Sequence, residues 1–252
     1  FEEPEKISNP LLSFRKLSVG YNSDLVLQEI SQSILPGARI GLLGANGAGK
    51  STLLKCLVGE LEARAGQLET GKHCKIGYFA QQQLEVLDRE MTALELFNQL
   101  NSELQDQSQR DYLGLWGFDK DKIERRIASL SGGEKARLVL AIISAQKPAL
   151  LILDEPTNHL DVDMRDALAL ALQTYGGAIV LVAHDRDLMD KLVDEFWLLD
   201  GGRLSSFSGD MGEYIALKKE SVIEAKSSQT PENESKRELR QSRAKERQRL
   251  SE

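Results

Sequence analysis

The chain has 252 residues, 41% of them apolar, and a formal net charge of −7. That is apolar mass enough for one large α/β domain or two small ones, and the acidic balance argues against a surface that coats nucleic acid generically. The longest apolar runs, such as Ala149-Leu150-Leu151-Ile152-Leu153, are only strand-length, against the roughly 20 residues a membrane-spanning helix needs, so no membrane crossing is expected.

The first residue is Phe1 rather than Met, which suggests a piece of a longer polypeptide, and no N-terminal signal pattern is visible. Residues 1–10 are polar, acidic and proline-punctuated and read as a linker. Leu11–Val19, Leu25–Ile34 and Ala38–Leu43 read as strands, and Lys50–Gly59 as a helix with Leu53, Leu54, Leu57 and Val58 on one face. Cys56 and Cys74 lack partners at metal-ligand spacing and read as ordinary reduced core thiols of a cytosolic, hence cytoplasmic, protein. Lys75–Ala80 is a further strand.

Met91–Leu115 reads as mostly helical and polar, and Gly133–Ala145 as a helix. Ala149–Leu153 and Ala178–Ala183 are unbroken apolar strands with a helix, Asp163–Tyr175, between them. Such alternation is the sequence form of a parallel sheet covered on both faces. Phe196–Leu199 and Arg203–Ser208, joined through Asp200-Gly201-Gly202, make a hairpin. From Lys218 onward ten Lys/Arg face seven Asp/Glu, so the tail is +3 and the body −10. The stretch from Ser221 to Glu252 reads as disordered or as a lone solvated helix, with an RNA-binding role as the alternative.

The chemistry concentrates in three motifs. Gly44-Ala45-Asn46-Gly47-Ala48-Gly49-Lys50-Ser51 fits the P-loop pattern between a strand and a helix. Its glycines let successive N–H groups turn toward a phosphate, and the helix start aims its positive dipole end at the same anion. Lys50 is placed for the β/γ-phosphates of ATP, and the Ser51 hydroxyl for Mg²⁺. Asp154 and Glu155 end a buried strand, where ligands sit in open α/β sheets. Asp154 suits the metal and its water shell, and Glu155 suits a general base for water. Alone, such an acidic pair is as readily a solvated turn; a P-loop upstream gives it this meaning. Leu130-Ser131-Gly132-Gly133-Glu134 opens a helix with Ser131 as N-cap, a second helix terminus able to face an anion.

In order the chain presents Tyr21, the P-loop, Gln81 in Tyr78-Phe79-Ala80-Gln81, Leu-Ser-Gly-Gly-Glu, Leu-Asp-Glu-Pro, Asn158-His159-Leu160-Asp161 and Ala183-His184-Asp185. Over Leu11–Gly209 this order and spacing resemble an ATP-binding cassette (ABC) nucleotide-binding domain. The resemblance implies an α/β P-loop NTPase core with an antiparallel β subdomain and a small helical subdomain at about 82–146, the cassette itself running over 11–217. It further implies that Tyr21 stacks on adenine and that Gln81 senses the γ-phosphate and Mg²⁺. Asn46, Gly47, Ala48 and Thr52 would line the phosphate cradle, and His184 would contact the γ-phosphate and the attacking water. Ser131, Gly132, Gly133 and Glu134 would close on the ATP of a second cassette, which Asp161 would meet.

Asn158-His159 and Ser131–Arg137, with Glu134 and Lys135, resemble the soluble ABC-F proteins rather than transporters, which more often carry Ser-Ala and Gln at the matching places. That branch implies two cassettes in one chain and action on the ribosome, near tRNA at the exit site, in translation regulation. The opening residues and charged tail most resemble the second cassette of the YheS-like branch, with 1–10 ending the interdomain linker and 218–252 a C-terminal extension. Ala183 departs from the Ser usual before His-Asp-Arg. An ATPase subunit of a membrane transporter, and an ATP-switched binding module in which hydrolysis only resets the switch, are the alternatives.

Overall fold

A computed structural model describes residues 8–101, 106–158 and 160–218. The expected linker (apart from 8–10), His159 and the charged tail beyond residue 218 lie outside the described residues. Two sheets form. The first joins β1 (Leu12–Tyr21) antiparallel to β2 (Asp24–Ile34) on one side and to β4 (Ala65–Thr70) on the other. A tight turn with Asn22 at φ 50 links β1 to β2. β4 has no apolar alternation to announce it, since only Leu68 turns inward among exposed polar residues.

The second sheet has six strands in the order β5-β6-β7-β3-β8-β9. β3 (Arg39–Gly44), β5 (Ile76–Ala80), β6 (Leu150–Asp154), β7 (Ala178–Val182) and β8 (Glu195–Asp200) run parallel, and β9 (Arg203–Phe207) returns antiparallel from β8. β6 and β7 are apolar at nearly every position because both faces are covered, as a parallel sheet requires. The β8–β9 turn uses Gly201 and Gly202, both at positive φ, as a two-residue hairpin loop demands. Phe14 of β1 meets Trp197 of β8 edge-to-face at 6.2 Å, inside one apolar core shared by both sheets and α1 (Lys50–Leu57).

The helices between Gln81 and Ala145 carry a separate core. α2 (Ala93–Leu100), α3 (Asp106–Leu115), the short α4 (Lys120–Ile123) and α5 (Gly132–Ala145) enclose Phe97, Leu113, Phe118, Ile127, Leu138 and Ala141. The stretch Met91–Leu115, expected to be mostly helical, holds two helices, α2 ending at Leu100 with a non-helical Asn101 after it, and α3 beginning at Asp106. Thr92 caps α2 through a reciprocal box with Glu95. α6 (Val162–Gln173) and α7 (Arg186–Leu192) complete this part of the chain. A second unit begins at Gly209, and its described part is helical over 211–218, with the Asp210 carboxylate accepting from the Glu213 N–H.

Among the described residues no helix is long and apolar enough to cross a membrane. Cys56 is buried, whereas Cys74 is only partly covered, so the expected core position holds for one thiol of the two.

Candidate functional site

β3, β7 and β6 are neighbours, so the chain segments leaving their carboxyl ends converge. Gly44 ends β3, Asp154 ends β6, and His184 follows β7 by two residues. The P-loop between β3 and α1 folds as its sequence requires. Gly44, Gly47 and Gly49 take φ of 156, 82 and 102. A Cβ on Gly44 would come within 2.8 Å of the Leu199 carbonyl oxygen, and one on Gly49 within 2.8 Å of Val26. These glycines are dictated by conformation and by packing together.

Gly49 is the N-cap of α1 and offers no side chain there, so the N–H groups at the helix start face the loop. The Lys50 ammonium donates to the carbonyls of Gly44 (2.8 Å) and Ala45 (3.1 Å), curling over its own loop. One cleft of about 410 Å³ is lined by Asn46, Gly47, Gly49, Lys50, Ser51 and Thr52 of the loop and by Asp154, Glu155 and His184.

The Ser51 hydroxyl donates to Asp154 Oδ2 at 3.0 Å, linking the helix start to the end of β6. Burial pushes the Asp154 carboxyl above the usual carboxylate range, opposed by that hydroxyl and by Lys50 and Lys55. Glu155 has a left-handed backbone, φ 53, fixed by its N–H donating to the Val182 carbonyl at 2.8 Å. Its carboxylate accepts from the His184 N–H at 3.3 Å and lies 3.5 Å from His184 Nε2. Burial raises the Glu155 carboxyl as well, with His184 pulling the other way. The His184 side chain is 68% exposed and so borders the cleft rather than filling it.

The pair Ser51–Asp154 suits Mg²⁺, a hard cation that takes oxygen ligands, commonly one or two protein groups plus phosphate and water.

Other expected site residues lie elsewhere. Tyr21 ends β1, 46% exposed, and does not line the P-loop cleft, although Val26 across the hairpin does. Gly44 and Ala48 shape the loop from behind the lining: Ala48 Cβ lies close to Gly44. Gln81 follows β5 directly, and its side chain lies outside the described residues. Asp161 caps α6, accepting from the Met164 N–H at 2.9 Å.

Ser131 and Gly132 are exposed at the start of α5, and neither lines the P-loop cleft. The Ser131 hydroxyl accepts from the Glu134 N–H, and Glu134 Oε2 accepts from the Ser131 N–H at 2.9 Å. The Ser131 backbone N–H and then Lys122, 3.1 Å away, hold the Glu134 carboxyl down at about 2. Glu134 thus secures the helix start from inside its own turn. Val26 and Val182 line the P-loop cleft and Tyr78 the one beside it; none was assigned a role from sequence, because each is an ordinary strand residue.

A family model described as ABC transporter matches residues 27–158, more than half the chain. The chain is 49% identical over 214 residues to probable ATP-binding protein YheS of Escherichia coli O6:H1, covering 85% of this chain and 34% of that protein. It is 36% identical over 217 residues to ATP-binding cassette sub-family F member 3 of Pongo abelii, covering 86% and 31%. The chain therefore spans about a third of the length of these relatives.

Among solved structures, the ATP-binding subunit of an ABC transporter superposes with a TM-score of 0.71 at 25% identity, covering 82% of this chain and 99% of that one. A dimeric ATP-binding cassette in a post-hydrolysis state with ADP and Pi superposes at 0.67 and 20% identity, covering 79% and 99%, a likeness of fold. With this fold, this P-loop cleft and the matching family model, the chain belongs to the ABC transporter family, as an ATP-binding cassette domain.

Proposed function

We propose that this cleft binds ATP with magnesium and hydrolyses it when a second cassette closes over it. The observation that carries the reading is the convergence of Lys50, Ser51, Asp154, Glu155 and His184 on one cleft. In this reading the N–H groups of 44–51 surround the phosphate tail. Lys50 leaves the Gly44 and Ala45 carbonyls for the β/γ-phosphates, and Thr52 and Asn46 border the cradle. Ser51 and Asp154 hold Mg²⁺, together with Gln81. The metal, when bound, offsets phosphate charge and stabilises the charge of the transferring group.

Glu155 accepts a proton from the attacking water. Its raised proton affinity, set by burial, suits a base better than an ordinary exposed carboxylate would. His184 orients that carboxylate through its backbone N–H and meets the γ-phosphate with its ring. Tyr21 supplies a face for the adenine. Ser131, Gly132 and Gly133 act on the nucleotide of the partner cassette, with Glu134 fixing their turn and Asp161 near the junction. Their distance from the P-loop lining within one chain, and the dimeric state of a cassette with the same fold, support a composite site.

Titration calorimetry with Mg²⁺ and ATP tests the binding step. The chain is expected to release heat that Lys50→Ala abolishes, and turnover per chain is expected to rise with protein concentration. No heat from the folded wild type, or full turnover from a strict monomer, overturns the reading.

For the longer protein we propose a cytoplasmic ABC-F role on the ribosome, in contact with rRNA or tRNA, with 11–217 as its cassette and 218–252 as an extension. Support comes from the Asn158-to-Asp161 and Ser131-to-Arg137 motifs and from a sub-family F relative. Sedimentation of the full-length protein with ribosomes should depend on a non-hydrolysable ATP analogue; equal sedimentation with and without it refutes the role.

A further inference from the structure

Tyr78 is the middle residue of β5, opposite Ile152 of β6 in the parallel ladder, two places before Ala80, which pairs with Asp154. Alternation along the strand puts Tyr78 and Ala80 on the same sheet face. The ring packs against the main apolar core, yet its hydroxyl is buried with no hydrogen-bond partner among the described residues. It lines a cleft of about 420 Å³ with Ser51, Lys55, Gln82, Asp154 and Glu155, beside the P-loop cleft and sharing its acidic pair.

A buried phenol without a partner is unfavourable for the fold. A phenylalanine would fill the same apolar space with no such penalty. The hydroxyl can both donate and accept, and its residue lines one cleft with Ser51 and Asp154, whose oxygen groups fit a hydrated cation. Asp154 is close enough to Tyr78 to push its phenol further from ionising, beyond what burial alone does. A tyrosine phenol is ordinarily neutral at pH 7, able to meet water but not to bind the metal as an anion.

We propose that the Tyr78 hydroxyl is a positioning group of the magnesium site, holding a water of the metal's hydration shell against Asp154. The inference rests on the proposed use of Ser51 and Asp154 for Mg²⁺. Magnesium keeps several waters when it binds protein and nucleotide, so the protein can shape the site through partners of those waters as well as through direct ligands. Tyr78 supplies such a partner from β5, in the same cleft that Ser51 of α1 lines. The hydrated cation then supplies the partner that the buried hydroxyl lacks among the described residues.

The test compares wild type and Tyr78→Phe in the whole chain, by thermal melting and by calorimetry, with ATP in EDTA and with ATP over a Mg²⁺ series. Without ligand the variant should melt at or above the wild-type temperature. ATP in EDTA should bind both equally. The Mg²⁺ concentration giving half of the metal-dependent melting shift should rise about tenfold in the variant, the low end of what outer partners of a metal site contribute.

Superimposable Mg²⁺ series overturn the inference, as does an equal loss of ATP binding in EDTA, which marks a general packing role. A wild type that gives no ATP-dependent shift under any condition overturns the ATP reading itself, a separate outcome. Should Tyr78→Phe not fold, 3-fluorotyrosine at position 78 keeps the shape and lowers the basicity of the phenol. Its Mg²⁺ series should move, and an unmoved series overturns the proposal.

Discussion

Alanine in place of Gly49 separates two costs that usually arrive together. The residue sits at φ 102, where an L side chain is strained, and an added Cβ would lie 2.8 Å from Val26 Cγ1 and 2.9 Å from Leu27 Cδ2. Leu27 is fully buried in the main core, so it has little room to give way. The backbone conformation costs about 1–2 kcal/mol, and forced overpacking about 1–3 kcal/mol more. Gly49→Ala should therefore lose about 2–5 kcal/mol, a large part of the roughly 5–15 kcal/mol that holds a domain together. Gly47 provides the internal control, because its φ is 82 but nothing lies within 4 Å of the added Cβ. Gly47→Ala should lose only the backbone share, about 1–2 kcal/mol. Urea unfolding of both variants gives the difference directly, provided the m-values match the wild type. Equal midpoints for the two variants would refute the claim that β2 presses on the P-loop.

Glu155→Gln should retain ATP binding while turnover falls about 10²- to 10⁴-fold, the range expected for losing a positioned base; filter retention of labelled ATP beside a phosphate-release assay checks both halves. Glu134→Gln should destabilise the chain at neutral pH. The Glu134 carboxyl is held down at about 2, so its contribution is complete above the unfolded carboxylate range and is lost as pH falls toward about 2. Unfolding midpoints of the two proteins should thus converge between pH 5 and pH 2 on the order of the cited shift, and a constant gap would count against the capping geometry. Asp154 is shifted the other way, raised by burial, so its ionised form disfavours the fold above its folded pKa and this penalty fades as pH falls through that value. Asp154→Asn should therefore melt no lower than wild type at neutral pH without ligand, yet lose the Mg²⁺-dependent part of ATP binding; a lower melting temperature would show that Asp154 mainly serves the fold.

The motifs were legible wherever the backbone itself needs a residue type. Gly44, Gly47 and Gly49 stand at positive φ, and Ser131 and Asp161 cap helices in the way their side chains allow. The apolar runs β6 and β7 announced a sheet covered on both faces, because nothing polar interrupts them. β4 left no such trace, as an edge strand with mostly exposed side chains is held by its ladder to β1 rather than by burial. Met91–Leu115 read as mostly helical without the point of interruption, because α2 and α3 are both amphipathic. Val26 and Tyr78 were invisible for a different reason. Tyr78 reaches its cleft through the pairing of β5 with the distant β6, Val26 through packing of β2 against the P-loop, and neither residue type signals a site by itself.

Several unfavourable features of this fold gather in one place. Glu155 keeps a left-handed backbone, Asp154 and Glu155 are carboxylates disfavoured by burial, and the buried Tyr78 hydroxyl has no partner among the described residues. A left-handed non-glycine residue costs about 1–2 kcal/mol, and the strands around these residues are packed with satisfied apolar side chains. The cost is borne where it creates a directed arrangement: the positive φ at Glu155 turns the chain from β6 onto the Val182 carbonyl, which leaves its carboxylate facing the His184 N–H. A ligand that supplies positive charge at Asp154 and a partner for Tyr78 relieves the fold as it binds, so affinity and stability draw on the same contacts. A ligand bound only by the folded chain raises stability by about 2.7 kcal/mol at a hundred times its Kd, and relief of local strain is already contained in that Kd. Mg²⁺ with ATP should accordingly stabilise the chain beyond ATP alone at equal nucleotide concentration, and removing the relieved group should shrink that increment even where it makes the ligand-free chain more stable.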